Sequence, residues 1–154
     1  MDKASFVVVS PEDRIERLLA ILGIYNDDRI AYCSFDPNVW GSQLGRRTIV
    51  SPAQIDFSAV EHVLIAPFDR AQDYTSFRAE LEKVGVDESR ITTIFDPHPT
   101  LLAFERILSV EYKNKRSLAQ EIIYHDCFER VNYAYGAILA VEQARRLNLR
   151  AVTL

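Results

Sequence analysis

Ser10-Pro11-Glu12-Asp13 follows a β-branched run, Phe6-Val7-Val8-Val9, where a strand would hand over to a helix. At such a junction a glycine-rich turn lets a phosphate approach the helix amides. This turn has no glycine, Pro11 lacks a backbone N–H, and Glu12 and Asp13 place two carboxylates at the positive end of the helix dipole. A bound phosphate would meet like charge, so no cofactor is expected to bind tightly here. Asp36, closing the second apolar run, stands where an acid would accept a hydrogen bond from a ribose hydroxyl, and it is also the turn-forming acid of Asp36-Pro37-Asn38. Ala66-Pro67 ends a third run beside the same crevice. Ser10, Asp36, Ala66 and Pro67 are therefore the candidate cofactor-binding residues.

Other reactive side chains form no convincing constellation. His62, His98 and His125 lack ligand-like spacing, and none pairs with Cys33 or Cys127 at the short interval of a zinc site, so no metal is expected. Tyr124-His125-Asp126-Cys127 contains the residue types of a nucleophile and its base, but sequence neighbours on a helix point in different directions. No catalytic residue is assigned. Trp40 and the cluster Phe128, Tyr133 and Tyr135 have faces that could stack on a sugar or base, and their spacing equally suits a core or a subunit interface.

The elements that would position these groups are clear in outline. After the first strand, Ser10 is expected to cap a helix with Pro11 at its first position, Ile15, Leu18, Leu19 and Leu22 on one face, and Gly23 as its stop. A second strand covers residues 30–35, and a loop through Trp40-Gly41 and Gly45-Arg46-Arg47 leads to a short strand, Thr48-Ile49-Val50. Val63-Leu64-Ile65-Ala66 has no polar residue, as expected of a central parallel strand covered on both faces. Asp73 would cap the next helix, Tyr74, Phe77, Leu81 and Val84 would form its apolar stripe, and Gly85 would stop it before a strand over 91–95. Strand, helix and strand make a βαβ crossover. The pattern is that of an α/β fold, an open parallel sheet with helices on both faces.

After Asp96-Pro97-His98-Pro99 the pattern becomes helical. Leu101, Leu102, Phe104, Ile107 and Leu108 form one apolar face, Ser117 and Gln120 resemble a capping box, and Ala134, Ala137, Ile138, Val141, Ala144 and Leu147 form a last stripe. The chain is read as an α/β domain over residues 1–97 and a helical segment over 98–154 that ends in a short strand, Ala151-Val152-Thr153-Leu154. A homodimer through the C-terminal helices is one expected use of that segment.

The bulk composition narrows the classes further. The 154 residues suit one domain of common size, and 26% charged with 48% hydrophobic residues is ordinary globular composition. A net charge of −4 offers no electrostatic case for nucleic acid. No apolar run reaches the roughly 20 residues that cross a bilayer, so no membrane partner is expected. Two distant cysteines and a start without signal-peptide regions lead to the expectation of a cytoplasmic protein.

Two stretches resemble known families. Residues 29–96, with Phe35-Asp36, Val39-Trp40-Gly41-Ser42-Gln43-Leu44-Gly45, Thr48-Ile49-Val50-Ser51-Pro52 and Leu81-Glu82-Lys83-Val84-Gly85-Val86, resemble the small Rossmann-like domains attached to polysaccharide-biosynthesis and sugar-modifying enzymes. Arg130-Val131-Asn132-Tyr133-Ala134-Tyr135-Gly136, continuing to Leu154, is similar to the segment before the adenosylmethionine loop of certain class I methyltransferases. Together they imply a non-catalytic Rossmann-like accessory domain of a methyltransferase-type protein in sugar or glycan metabolism, with the first helix and strand of a catalytic domain after it. Adenosylmethionine or NAD(H) would be the cofactor of the parent family. For this chain the resemblance implies at most weak nucleotide or sugar-nucleotide binding. The alternatives are a complete small enzyme binding NAD or a sugar-nucleotide, and a dimerisation module.

Overall fold

A computed structural model describes residues 4–67 and 74–108, apart from the side chains of Pro97, His98 and Leu101. Expectations for Asp73, Cys127 and the helices and strand after residue 108 lie outside the described residues. The elements are β1 (Phe6–Val9), α1 (Asp13–Leu22), β2 (Ile30–Cys33), β3 (Gln43–Leu44), β4 (Arg47–Val50), β5 (His62–Ile65), α2 (Tyr74–Lys83), β6 (Ile91–Thr93) and α3 (Pro97–Leu108). One six-stranded sheet runs in the order β3-β4-β2-β1-β5-β6. Every neighbouring pair is parallel except β3 with β4.

β1 is held on both sides, with Phe6 opposite Ile30 on β2 and His62 on β5. Its four residues are completely buried. Because successive side chains leave opposite faces, Phe6 and Val8 join one core with α1 and α3, and Val7 and Val9 join another with α2 and residues 55–60. The sheet thus has helices on both faces, which is why its middle strands read as unbroken apolar runs. β5 is an interior strand, as its apolar run implies, lying between β1 and β6.

The first helix buries Ile15, Leu18, Leu19 and Leu22, the stripe its spacing predicts, and each such side chain contributes about 1.5–3 kcal/mol of burial. It ends on Gly23 at φ 75°, where the Ile24 amide donates to Leu19 O and the Gly23 amide to Ala20 O. α2 stops in the same way, with Val86 N–H donating to Leu81 O and Gly85 N–H to Glu82 O. That closure corrects one expected core residue. Val84 faces solvent at 40% exposure, and Val86, just past the glycine, folds back against Leu81.

Four further departures have identifiable causes. β2 stops at Cys33, because Ser34 turns its hydroxyl to the amide of Asp36, and β6 stops at Thr93, whose hydroxyl donates to Asp96 while its carbonyl receives the Asp96 amide. Gln43–Leu44, expected as loop, pairs antiparallel with β4 across a two-residue turn, Gly45-Arg46. Gly45 has φ 58°, a conformation that suits glycine in such a turn. In α3 it is Ala103, Phe104, Ile107 and Leu108 that enter the core, with Phe104 stacked on Phe6 at 4.6 Å, while Leu102 is 43% exposed. Ala103, Phe104, Ile107 and Leu108 of α3 therefore share the core of the sheet that precedes them.

Phe104→Ala should lower the unfolding free energy by about 3–5 kcal/mol, and Leu102→Ala should stay within about 0.5 kcal/mol of the parent. Urea denaturation of both variants checks this, and equal effects would mean that α3 does not close the core through Phe104.

Candidate functional site

The β1–α1 turn, the loop after β2, the end of β5 and the start of α2 meet above the carboxyl ends of the strands. They enclose a cleft of about 270 Å³ lined by Ser10, Pro11, Glu12, Ser34, Asp36, Val39, Ile49, Pro67 and Phe77. Ser10, Asp36 and Pro67, widely separated in sequence, are brought together there. Ala66 is not. Its N–H donates to Val9 O, and its side chain is fully buried in the core below.

Ser10 is not the expected cap of α1. The helix begins at Asp13, with Glu12 in the capping position and extended, and the Glu12 side chain does not cap it. Ser10 instead prolongs the β1–β2 ladder, its N–H donating to Cys33 O at 2.8 Å, and turns the chain at φ 52°. Among the described residues it is the one non-glycine residue at positive φ. An L-residue there carries strain of roughly 1–2 kcal/mol.

Asp36 behaves first as a turn former. Its Oδ1 accepts from both the backbone N–H and the side-chain amide of Asn38, at 2.9 and 2.8 Å. Trp40 is fixed by its indole N–H, which donates to Ser34 O at 2.7 Å, leaving the ring 44% exposed at the margin of this loop. On the opposite wall the carbonyl of Pro67 accepts from the Tyr74 hydroxyl of α2.

Two polar groups lie away from the cleft. At the amino end of β2, Arg47 is 8% exposed, donates from Nε to Ile30 O and from Nη2 to Asp27 O, and stands over the rings of Tyr32 and Tyr25 at 5.3 and 5.9 Å. Among the described residues its Nη1 has no hydrogen-bond partner, and it lies 3.9 Å from Glu16 Oε1, which accepts the Tyr32 hydroxyl. Burial and the bond to Glu16 push the Tyr32 phenol well above its usual range. No sequence signal marked this group, because arginine in Gly45-Arg46-Arg47 reads as solvated turn.

The second group joins His62, Thr92 and Thr100. The His62 Nε2 is 2.8 Å from the Thr92 hydroxyl, which also accepts from Thr100 at 3.2 Å. Burial, assisted by the charge of Arg106, pushes the His62 imidazole down to about 4. Cys33 lies under the β2 end and is held protonated, its thiol pushed up to about 12 by burial. Such a thiol is inert rather than nucleophilic. Among the described residues, no group of three or more His, Cys, Asp or Glu could hold a metal ion, and no helix is long and apolar enough to cross a membrane.

Ser10→Gly should raise the midpoint of thermal unfolding, gaining about 1 kcal/mol, whereas Ser10→Val should lose at least as much because a β-branched residue tolerates positive φ least. Paired melting curves test it, and a stabilising valine would contradict the left-handed turn. His62 gives a pH dependence. An imidazole titrating near 6.5 when unfolded and about 4 when folded leaves the unfolded chain holding the proton first. Stability from this group is whole above about pH 6.5 and falls as pH drops toward 4. Chemical denaturation at pH 7 and pH 5 should show that loss in the parent and less of it in His62→Gln.

Comparison of the chain with protein-family models, curated proteins and solved structures finds no match.

Proposed function

We propose that this sheet is a Rossmann-like, non-catalytic ligand-binding domain that holds a nucleotide or sugar-nucleotide weakly in the cleft formed by Ser10, Asp36 and Pro67. The observation that carries the reading is the position of that cleft. Taken alone, the parallel strands lie in the order β4-β2-β1-β5-β6, third, second, first, fourth and fifth along the chain. In such a sheet the connections leave β1 in opposite directions, and the crevice opens above the carboxyl ends of the strands at that divergence. The cleft lies above those ends, between the turn after β1, the loop after β2 and the residues after β5.

Two features support weak binding rather than catalysis. The space of about 270 Å³ is below the usual range of small-molecule pockets and suits part of a nucleotide. The Asp36 carboxylate is committed on one oxygen to the Asn38 turn, so it positions hydroxyls better than it moves protons. The resemblance of residues 29–96 to accessory domains of sugar-modifying and methyltransferase-type proteins is the ground for placing the domain beside sugar or glycan chemistry.

With Kd near ~1 mM and ligand at about 10 mM, binding stabilises the fold by about 1.4 kcal/mol. For a chain of this size that should raise the melting midpoint by about 3–5 °C. Thermal-shift measurements with NAD, UDP-sugars and adenosine compounds should show such a rise for at least one of them, reduced in Asp36→Ala. No rise with any compound would refute the proposal, and a tight complex with adenosylmethionine would refute the non-catalytic assignment.

A further inference from the structure

We infer that the outer edge of β6 is the seat of a strand from this chain's own C-terminal part, Ala151-Val152-Thr153-Leu154. Two grooves, of about 540 and 520 Å³, flank that edge, one on each face of the sheet. Ile91 lines the first, with Arg78, Glu82 and Val86 on the α2 side. Thr92 lines the second, with Pro99, Leu102 and Ala103 of α3. A strand laid along β6 would send its successive side chains into the two grooves in turn.

The backbone of β6 shows how much of a neighbour it can hold. Among the described residues no strand lies beyond it. Ile94 N–H donates to Ile65 O, so by the alternation of a strand Ile91 and Thr93 turn their backbone groups away from β5. Two of those four groups are used locally: Ile91 N–H donates to Glu88 O, and Thr93 O accepts from the Asp96 amide and the Thr100 hydroxyl. Among the described residues that leaves Ile91 C=O and Thr93 N–H, an acceptor and a donor that one residue of an adjoining strand engages with its own N–H and C=O. So narrow a window suits a tethered segment, already present at a local concentration on the order of mM, better than a separate chain that must first lose its free motion.

The side chains of residues 151–154 match the two grooves. Val152 and Leu154 leave one face of a strand, Ala151 and Thr153 the other. The apolar pair fits the α3 groove, where Leu102 is 43% exposed, and the small and polar pair fits the α2 groove with Arg78 and Glu82. Residues 109–150 supply ample chain to return from the end of α3 to β6. The segment then completes this sheet rather than opening a second one, and it covers an edge that would otherwise pair with other chains.

The test is amide hydrogen exchange, read by NMR on the full chain. Thr93 N–H should exchange at least about a hundredfold more slowly than an exposed amide, and Val152→Asp should speed it about tenfold or more while Thr92 N–H, which faces β5, keeps its protection. A Thr93 amide that exchanges like an open one, or that ignores the aspartate, would overturn the inference. If the aspartate unfolds the chain, Thr92 loses its protection as well, and a second measurement decides. With Leu102→Cys and Val152→Cys in a Cys127→Ser background, a short bismaleimide should join the two positions within one chain. Cys33 should stay unreacted, because burial pushes its thiol up to about 12. Cross-links between two chains would give the edge to a second copy, no cross-link would leave it open, and either result would overturn the inference.

Discussion

Double-sided burial of β1 is the constraint on which the rest of the structure depends. A four-residue strand with no exposed side chain must have a hydrogen-bonded neighbour along each edge and a helix layer over each face. β2 and β5 fill the edges in the same register, so Phe6, Ile30 and His62 form one row and Val8, Tyr32 and Leu64 another. Any shift of β1 by one residue would exchange the contents of the two cores. α1 and α3 must therefore sit on one face and α2 on the other, and the ends of the strands arrive at a common level.

The margin of the sheet is secured differently. At the β3–β4 end of the sheet the face that meets α1 is closed by charge: the Arg47 guanidinium stands over Tyr25 and Tyr32 near Glu16 and ties the hairpin to the carbonyls of Asp27 and Ile30. Gly45 makes room for this. A Cβ there would meet Glu16 Oε2 at 1.7 Å. Removing one member of a buried pair leaves a buried charge uncompensated, which costs far more than the pair itself contributes. The arrangement specifies where α1 lies over the sheet more than it adds to stability, and α1 in turn carries Glu12 to the cleft.

The fold was legible where local periodicity and burial coincide. The stripe Ile15, Leu18, Leu19 and Leu22, the glycine stops at 23 and 85, and the run Val63-Leu64-Ile65 needed only spacing and turn chemistry to be read. Legibility failed where a tertiary partner decides. Leu102 and Ala103 are adjacent on α3, and composition favours the leucine as the core residue, but Phe104 stacking on Phe6 sets the rotation of the helix and turns Leu102 outward. Arg47 was hidden for the same reason, since nothing near it in sequence announces Glu16 or the two tyrosines. At the cleft, Ser10, Asp36 and Pro67 were marked by lying at strand ends, whereas Ala66 lies one residue too deep and continues the ladder to Val9.

The β1–α1 turn joins these two levels of description. The β1–β2 ladder runs one residue past the strand, because Ser10 N–H still finds Cys33 O, and only then must the chain reverse into α1. Pro11, whose ring fixes its own φ at about −65°, cannot make the reversal, and Ser10 takes the positive φ that glycine would adopt without strain. A glycine at that position would leave the backbone open to an approaching anion. Serine adds a hydroxyl at that position, and the residues that lead into the helix, Glu12 and Asp13, are acids. The same few residues that complete the central ladder thereby line the cleft above it.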